Sequence, residues 1–264
     1  YRNSPYWIPP LIADELRTLQ KHTNPAFQHC RARYWLAYRG TELCGRIAGI
    51  VNDAYVTAWK NRYVRFGWID FVDDVDVSAA LFDTVQSWAR SEAMTAVHGP
   101  LGFTDMDHEG MLVEGFNELG TIATIYNHPY YPVHTEMHGY RKDVDWVEYE
   151  VSVPSSIPEK ALRIAEIARE RRHLHVLDAK KSKDFLPYAH QIFDVINTTY
   201  KDFYGYVPLT EQQIDWYTEQ YFPNIVPDYL KVILDEKDTV AGFVIGMPSL
   251  SKACLLYTSD AADE

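Results

Sequence analysis

The sequence predicts an α+β protein built from two domains of similar construction. The chain has 264 residues, of which 47% are apolar, and this is enough to give each of two ordinary domains its own core. Short helical patterns alternate with short strand patterns along its whole length. A Pro/Ser-rich stretch, "VPSSIPEK" at residues 153–160, reads as a linker, and after it a similar order of elements begins again.

The first half is predicted to form a sheet with helices against it. The predicted elements are a helix at 12–22, two strands within 31–52 joined by a turn at Gly40, a strand at 63–72, a helix at 78–93, a strand at 93–100, a helix at 129–138 and a strand at 143–153. Asp73, Asp74 and Asp76 precede the second helix, where carboxylates stabilise the positive end of the helix dipole.

The second half repeats helices followed by a strand pair. The predicted elements are a helix at 159–172, a strand at 173–179, helices at 184–199 and 211–221, and strands at 229–235 and 239–247. In each half a charged turn precedes an apolar strand, "GRIAGIV" in the first and "AGFVIGM" in the second. The sequence therefore predicts mixed, mostly antiparallel sheets flanked by helices.

Charge and composition exclude several classes of partner. The formal net charge is -12, whereas nucleic acids and anionic membranes are bound by Lys/Arg patches. No apolar run is long enough to span a bilayer. Three cysteines without a CxxC pair favour a reducing compartment, so we expect a cytoplasmic protein with neither a nucleic-acid nor a membrane partner.

The order of several motifs resembles the GNAT superfamily of N-acetyltransferases, in particular bacterial proteins with two such domains in tandem. The segments that carry the resemblance are "GRIAGIVN" (45–52), "FGWIDF" (66–71), "HGPLGFTDMDHEGMLVEGF" (98–116), "YNHPYY" (126–131), "HGYRKDVDWVEYEV" (138–151), "FYGYVPLTEQQ" (203–213) and "VAGFVIGMPSLSKA" (240–253). The resemblance implies a first GNAT-like domain at 1–153, a linker at 154–160 and the N-terminal part of a second domain at 161–253.

The resemblance also implies an activity, acyl transfer from acetyl-CoA or another acyl-CoA to a small-molecule amine. In such a reaction a carboxylate or an ordered water takes the proton of the ammonium, and a tyrosine often protonates the leaving thiolate. The pyrophosphate of the cofactor sits at a helix N-terminus, where free N–H groups meet it.

The first domain departs from this pattern, so we expect it to be non-catalytic. A pyrophosphate at its helix N-terminus would meet the carboxylates of Asp73, Asp74 and Asp76. Thr135 occupies the position at which the family usually has the tyrosine that acts as general acid. The second domain is then expected to bind the acyl-CoA, with a phosphate loop downstream of Ser251.

The last residues differ in character from the rest. "CLLYTSDAADE", residues 254–264, resembles the translation of a sequencing-library adaptor. This predicts that Ala253 is the last native residue of this sequence and that the second domain is incomplete. The fragment is then expected to be inactive and to bind CoA weakly.

By the same resemblance, candidate site residues lie in both halves. Glu211 and Tyr206 are the predicted catalytic residues, with Glu211 as the candidate base. The predicted substrate-binding residues are Asn197, Tyr200, Tyr204, Tyr126, Asn127 and Tyr131. For Glu211 there is an alternative, since Thr210 and Gln213 have the spacing of a capping box and Glu211 would then only favour the helix dipole.

Other polar groups leave alternatives open. Asp105, Asp107, His108 and Glu109 can form an acid/base or hard-cation site, or a loop fixed by Asx turns. His134 and His138 are four residues apart, a spacing found in zinc sites. Asp105, Asp107, His108 and His134 together suggest a distant alternative, a metal-dependent hydrolase. We assign no metal site, and the nearer alternative is a non-catalytic GNAT-fold protein that binds a ligand or a partner.

One charged strand residue carries a separate prediction. Arg46 lies within "GRIAGIVN" and could bind an anion, but an ion pair with a carboxylate of the same sheet is the favoured interpretation.

Overall fold

The structure is a computed structural model that describes residues 1, 4–121 and 123–260, with side chains as far as Leu255. The chain divides into two compact units. The first comprises Tyr1–Asp145, Tyr204–Val207 and the described residues from Ser249 onward, and the second comprises Trp146–Phe203 and Pro208–Pro248. Each unit has one sheet flanked by helices, so the predicted α+β class is confirmed.

The first unit is a four-stranded sheet with a long helix packed against it. Its elements are α1 (Ile12–Leu19), β1 (Cys30–Arg39), β2 (Glu42–Asn52), α2 (Asp53–Trp59), β3 (Tyr63–Phe71), α3 (Val75–Ser91), β4 (Ala96–His98), α4 (Tyr130–Met137) and α8 (Ser251–Asp260). The strands lie in the order β1-β2-β3-β4, antiparallel except that β4 runs parallel to β3.

The core of this unit lies between the sheet and α3. Apolar residues of β2 and β3, among them Ile47 and Phe66, pack against Phe82 and Val85 of α3. Asp74 is the N-cap of this helix, and its carboxylate accepts hydrogen bonds from the backbone N–H groups of the first turn. The predicted helix therefore forms, and it begins a few residues earlier than expected.

A long loop follows β4. Residues 99–129 contain no helix or strand among those described, and they lead from the end of β4 to α4. Leu101 N–H donates to the carbonyl oxygen of Phe66 at 2.7 Å, which holds the start of the loop against β3. The loop carries most of the acidic residues considered below.

The strand predicted at 143–153 is wrong. The residues have alternating apolar character, but they have no strand partner among the described residues. Val147, Tyr149 and Val151 are exposed, and Val153 is 92% exposed. An alternating pattern forms a strand only when a neighbouring strand satisfies its backbone groups, and no sheet edge does so here.

The second unit has a smaller sheet covered by helices. Its elements are α5 (Glu159–Arg172), β5 (His175–Val176), α6 (Ala189–Thr199), α7 (Glu211–Tyr221), β6 (Leu230–Leu234) and β7 (Val240–Ile245). The sheet is antiparallel in the order β5-β6-β7, and its core includes Phe193, Ile214 and Val232.

Two elements of this unit are shorter or less regular than the sequence predicted. The strand expected at 173–179 is only two residues long. The helix expected at 184–199 begins as a 3₁₀ turn, Ser182–Tyr188, because Pro187 cannot donate the hydrogen bond that an α-helix needs there.

The terminal segment lies partly in a helix. Residues 254–260 of the segment interpreted as adaptor-encoded lie in α8, and residues 261–264 lie outside the described residues.

Candidate functional site

A buried arginine lies in the third strand of the first unit. Arg65 is 1% exposed and is flanked in β3 by the buried residues Val64 and Phe66. Its Nη1 donates to the carbonyl oxygen of Gly102 at 3.0 Å, and its Nη2 donates to the carbonyl oxygen of Gly205. A guanidinium removed from water must be compensated by acceptors and by negative charge.

The compensating charge comes from the loop after β4. The guanidinium of Arg65 interacts electrostatically with Asp105 and Glu109. Burial raises the pKa of Asp105 to about 6, against the opposing effect of Arg65. Burial, with the repulsion of Asp105, raises the pKa of Glu109 to about 8. At neutral pH Asp105 is therefore mostly ionised, while Glu109 mostly keeps its proton.

Asp107 has a different role in the same loop. Its Oδ2 accepts hydrogen bonds from the N–H groups of Phe103 at 2.7 Å and Thr104 at 3.2 Å, which lie four and three residues before it, so this is not the contact to a later residue that defines an Asx turn. Burial also raises the pKa of Asp107 to about 6. A Cβ added at Gly102 would lie 2.2 Å from the Cβ of Asp107, so only glycine fits there. Asp107 thus fixes the shape of the loop.

A histidine and a tyrosine complete the group. His98 ends β4, opposite Arg65 in the sheet register, and its Nδ1 lies 3.4 Å from the hydroxyl of Tyr204. Burial and the charge of Arg65 lower the pKa of His98 to about 3, so the ring is neutral. Burial and a hydrogen bond to Asp143 raise the pKa of Tyr204.

Four buried polar atoms of this group have no hydrogen-bond partner among the described residues. They are Arg65 Nε, His98 Nε2, Asp105 Oδ1 and Glu109 Oε1. Native proteins contain only a few such atoms per hundred residues, so four in one group make it a candidate functional site. We call Arg65, His98, Asp105, Asp107, Glu109 and Tyr204 the Arg65 cluster.

The sequence had indicated part of this cluster. The sequence predicted either an acid/base or hard-cation site or a loop fixed by Asx turns. In the structure Asp107 fixes the loop by accepting from preceding backbone N–H groups, and one oxygen each of Asp105 and Glu109 has no hydrogen-bond partner among the described residues. Arg65 and His98 were missed. The available signal was a single arginine inside the apolar strand "YVRFGWIDF".

A second feature of the first unit is a cleft of about 430 Å³ beside β2 and β3. Its lining residues are Tyr1, Leu43, Cys44, Gly45, Arg46, Asp70, Phe71, Val72, His128, Tyr130 and Tyr131. Arg46 forms an ion pair with Asp70 of the neighbouring strand at 2.6 Å, as the sequence predicted. The predicted substrate residue Tyr131 lies in the wall, with its hydroxyl 3.2 Å from Asp70 Oδ1.

The other two predicted residues of this region are engaged by the protein itself. The hydroxyl of Tyr126 accepts a hydrogen bond from Ser4 Oγ at 2.9 Å. Asn127 is buried, and its side chain bonds both the N–H and the carbonyl oxygen of Leu112. These contacts fasten the long loop.

The predicted catalytic pair falls into different units. Tyr206 belongs to the first unit, where it is buried and its carbonyl oxygen accepts a hydrogen bond from Trp59 Nε1 at 2.8 Å. Glu211 belongs to the second unit, where its side chain is 74% exposed and lies 3.0 Å from His190 Nδ1. Thr210 and Gln213 form the capping box at the start of α7, so the structural alternative for Glu211 is satisfied.

The remaining predicted residues are also placed. Asn197 bonds both backbone groups of Leu209 within the second unit, at 2.8 and 3.1 Å. Tyr200 is exposed and packs against Phe203. Tyr204 belongs to the Arg65 cluster in the first unit.

The second unit has a polar cleft of its own, also of about 430 Å³. Its lining residues are Val176, Leu177, Asp178, Ala179, Lys180, Pro227, Asp228 and Lys231. The two lysines are the cations that could attract a phosphate, but Asp178 pairs with Lys180 and reduces that attraction.

The residues available for a metal ion do not gather. Within the described parts of the chain, no three His, Cys, Asp or Glu side chains form a group that could hold one. His134 is engaged otherwise: its Nδ1 lies 2.9 Å from Ser78 Oγ and its Nε2 lies 3.0 Å from Asp73. Among the described residues no helix is long and apolar enough to cross a membrane.

Comparisons with known proteins identify relatives at low identity. No family model matches the chain. It is 25% identical over 254 residues to protein YghO of Escherichia coli, covering 96% of this chain, and 28% identical over 256 residues to the bacterial ceramide synthase of Caulobacter vibrioides, covering 94% of it. The chain spans 64% of the length of both relatives.

One solved structure is also similar. It is a tandem GNAT protein from the clavulanic acid biosynthesis pathway, with a TM-score of 0.45 and 12% identity, and the match covers 91% of this chain and 65% of that one.

Proposed function

We propose that the protein is an N-acyltransferase that transfers an acyl group from acyl-CoA to the amino group of a long-chain amine of the sphingoid type. The observation that carries the proposal is the 28% identity, over 94% of this chain, to a protein named bacterial ceramide synthase. A ceramide is an amide between a fatty acid and a sphingoid base, so its synthesis joins an acyl group to an amine.

The Arg65 cluster supplies chemistry that such a transfer needs. The amine nitrogen must lose a proton before its lone pair attacks the thioester carbonyl carbon; the C–N bond then forms, the C–S bond breaks, and the thiolate takes up a proton. Asp105, with a pKa of about 6, is ionised at neutral pH and can accept the proton of the ammonium. Glu109, with a pKa of about 8, keeps its proton and limits the repulsion between the two carboxyl groups.

The domain assignment and the cofactor remain part of the proposal. We take the first GNAT-like domain as 1–153 and the second as beginning at 161, with acyl-CoA bound by the second. Glu211 and Tyr206 stay the predicted catalytic residues, and Asp105 is an alternative base that would give the first domain a catalytic role, contrary to the expectation from its sequence. Because the chain spans 64% of the relatives' length, the activity of the whole protein is proposed rather than assigned.

The test is amide formation. The purified chain is incubated with a long-chain acyl-CoA and sphinganine, and the N-acyl product is measured by mass spectrometry. The bacterial ceramide synthase named above is the positive control. A soluble, folded chimera, in which this chain replaces the matched part of that relative, supplies whatever the rest of the relative contributes.

Amide formed by the chain or by the chimera supports the proposal. If the positive control is active and neither of the two forms amide, the proposal is wrong. Binding of the amine without transfer would then favour the alternative, a non-catalytic ligand-binding protein.

A further inference from the structure

We propose that the Arg65 cluster recognises the head group of the acyl acceptor, and that this head group is a primary amine with a hydroxyl or carbonyl oxygen on the adjacent carbon. This inference rests on the proposed function and names the substrate class that the site selects. It assigns to Arg65, Asp105 and Glu109 a binding role toward the substrate.

The unpaired atoms of the cluster define what it can bind. Asp105 Oδ1 and Glu109 Oε1 are acceptors, and Arg65 Nε is a donor; none has a hydrogen-bond partner among the described residues. A primary ammonium offers up to three N–H donors for the two carboxyl oxygens. An oxygen next to it offers the acceptor that Arg65 Nε requires, whereas a simple alkylamine would leave that N–H unpaired.

Arg65 gives evidence independent of the acidic loop. It lies on β3, is 1% exposed, and its Nη1 donates into the loop at the carbonyl oxygens of Gly102 and Phe103. The guanidinium is thus held against the loop that carries the carboxyl groups. Leaving one N–H of a buried guanidinium unpaired is costly, and this cost is removed when a ligand oxygen accepts from it.

The charge balance of the cluster also favours a cationic ligand. At neutral pH Asp105 and Asp107 are mostly ionised and Glu109 is mostly neutral, while Arg65 carries one positive charge and His98 is neutral. The cluster is therefore short of positive charge, and an ammonium supplies it. An anionic ligand would increase the imbalance.

The cluster reaches the surface on one side. Asp105, Glu109 and His98 are only half-buried, although each has one polar atom shielded from solvent. Met106 and His108, which alternate with the acidic residues in the loop, are exposed. Since the polar atoms themselves are shielded, a head group reaches them from the loop side only when loop side chains move aside, and a hydrocarbon chain then remains outside the cluster.

The experiment measures amine binding without acyl-CoA, so that its outcome does not depend on catalysis. The probe is a short-chain sphingoid base, 2-aminooctane-1,3-diol, titrated into the full chain by isothermal calorimetry. Octylamine, which lacks the oxygens, and octane-1,3-diol, which lacks the amine, are the matched ligands. We expect each to bind about tenfold or more weakly than the probe, since each leaves a buried charged or polar group unpaired.

The variant Asp105→Asn removes the charge with little change of shape, and Asp83→Asn removes the same charge from an exposed position of α3. We expect a loss of about tenfold in affinity for the probe in Asp105→Asn and no change in Asp83→Asn. Circular dichroism establishes that both variants are folded.

Two results would overturn the inference: equal affinity of folded Asp105→Asn and the parent for the probe, or octylamine binding as tightly as the probe. Amide formation that is unaffected in Asp105→Asn would overturn this site and leave the proposed function standing. Selective probe binding that depends on Asp105, without amide formation, would overturn the function and leave the site.

Discussion

The pKa of Glu109 reflects both the burial and the charges of the Arg65 cluster. Burial raises its pKa to about 8, and the neighbouring Asp105 contributes further in the same direction. Arg65 acts against both effects, but its guanidinium is also engaged by the carbonyl oxygens of Gly102 and Gly205. The carboxyl group is therefore neutral in the folded protein at a pH where it is ionised in the unfolded chain.

This difference predicts a pH dependence of stability. Between the usual glutamate pKa of 4.5 and the folded value of about 8, the folded protein holds a proton that the unfolded chain has released. The free energy of unfolding should consequently fall as pH rises through this range, by at most about 1.4 kcal/mol per pH unit for this one group. Glu109→Gln, which imitates the protonated form, should flatten the curve in urea unfolding monitored by circular dichroism.

Glu114→Gln is the control for that measurement. Glu114 is exposed and lies in the same loop, so its substitution should leave the slope unchanged. A Glu109→Gln protein with the same slope as the parent would contradict the raised pKa.

Some of this residue chemistry could be predicted from the sequence and some could not. The charge density of the loop "TDMDHE" indicated a candidate site, and Asp107 does fix the shape of the loop, but through bonds to preceding N–H groups rather than through the expected Asx turn. What the loop faces could not be predicted, because Arg65 lies almost forty residues earlier and only the parallel pairing of β3 with β4 brings the two together. Arg46 was easier to interpret, since its partner lies on the adjacent strand.

At the scale of elements, β3 and the loop after β4 approach closely at a glycine. A Cβ added at Gly67 would lie 2.5 Å from the carbonyl oxygen of Leu101, which is backbone on the loop. We expect Gly67→Ala to destabilise the protein by about 1–3 kcal/mol, because neither backbone can move without disturbing the core. The measurement is the free energy of unfolding in urea.

Gly242 provides the matched substitution in another strand. An added Cβ there meets nothing within 4 Å, so Gly242→Ala should change stability by less than about 0.5 kcal/mol, or increase it slightly. Equal losses in the two variants would show that the close approach at Gly67 does not matter.

The start of α7 tests the structural interpretation of the segment around Glu211. Thr210 Oγ1 accepts a hydrogen bond from Gln213 N–H, and Gln213 Oε1 accepts one from Thr210 N–H. Thr210→Ala should cost about 1 kcal/mol of unfolding free energy. Thr210→Ser keeps the hydroxyl and should retain most of the stability, so similar losses in both variants would argue against the cap.

The elements that were predicted well are those whose signals are local. The cap of α7 and the apolar stripe of α3 lie within a few turns of chain, and both helices form where expected to within a few residues. The strand expected at 143–153 fails because a strand needs a partner elsewhere in the chain, and alternation in one segment carries no information about that partner.

At the scale of the whole molecule, the predicted site residues are divided between the two compact units. Of the predicted site residues, Tyr204 and Tyr206 are part of the first unit, and Glu211 and Asn197 are part of the second. The chain passes between the units within a few residues here, and the predicted site residues stay predictions. The residues of the Arg65 cluster all belong to the first unit.

The net charge of -12 has a consequence for any assay with a lipid-like amine. An acidic protein is attracted to every vesicle that carries long-chain ammonium groups, whether or not it has a site for them. We expect co-sedimentation with sphinganine-containing vesicles at low salt, falling steeply toward about 0.15 M, where exposed charges further apart than about 8 Å are screened. No co-sedimentation is expected with phosphatidylserine vesicles at either salt concentration.

The variant Asp105→Asn separates this general attraction from recognition. It changes the net charge only from -12 to -11, so attraction by the surface as a whole should be nearly unchanged at low salt. The component that persists at about 0.15 M salt reports short-range contacts, because screening acts least on buried groups, and it should be lost in the variant and kept in Asp83→Asn. Binding to phosphatidylserine vesicles at that salt concentration would contradict the charge argument.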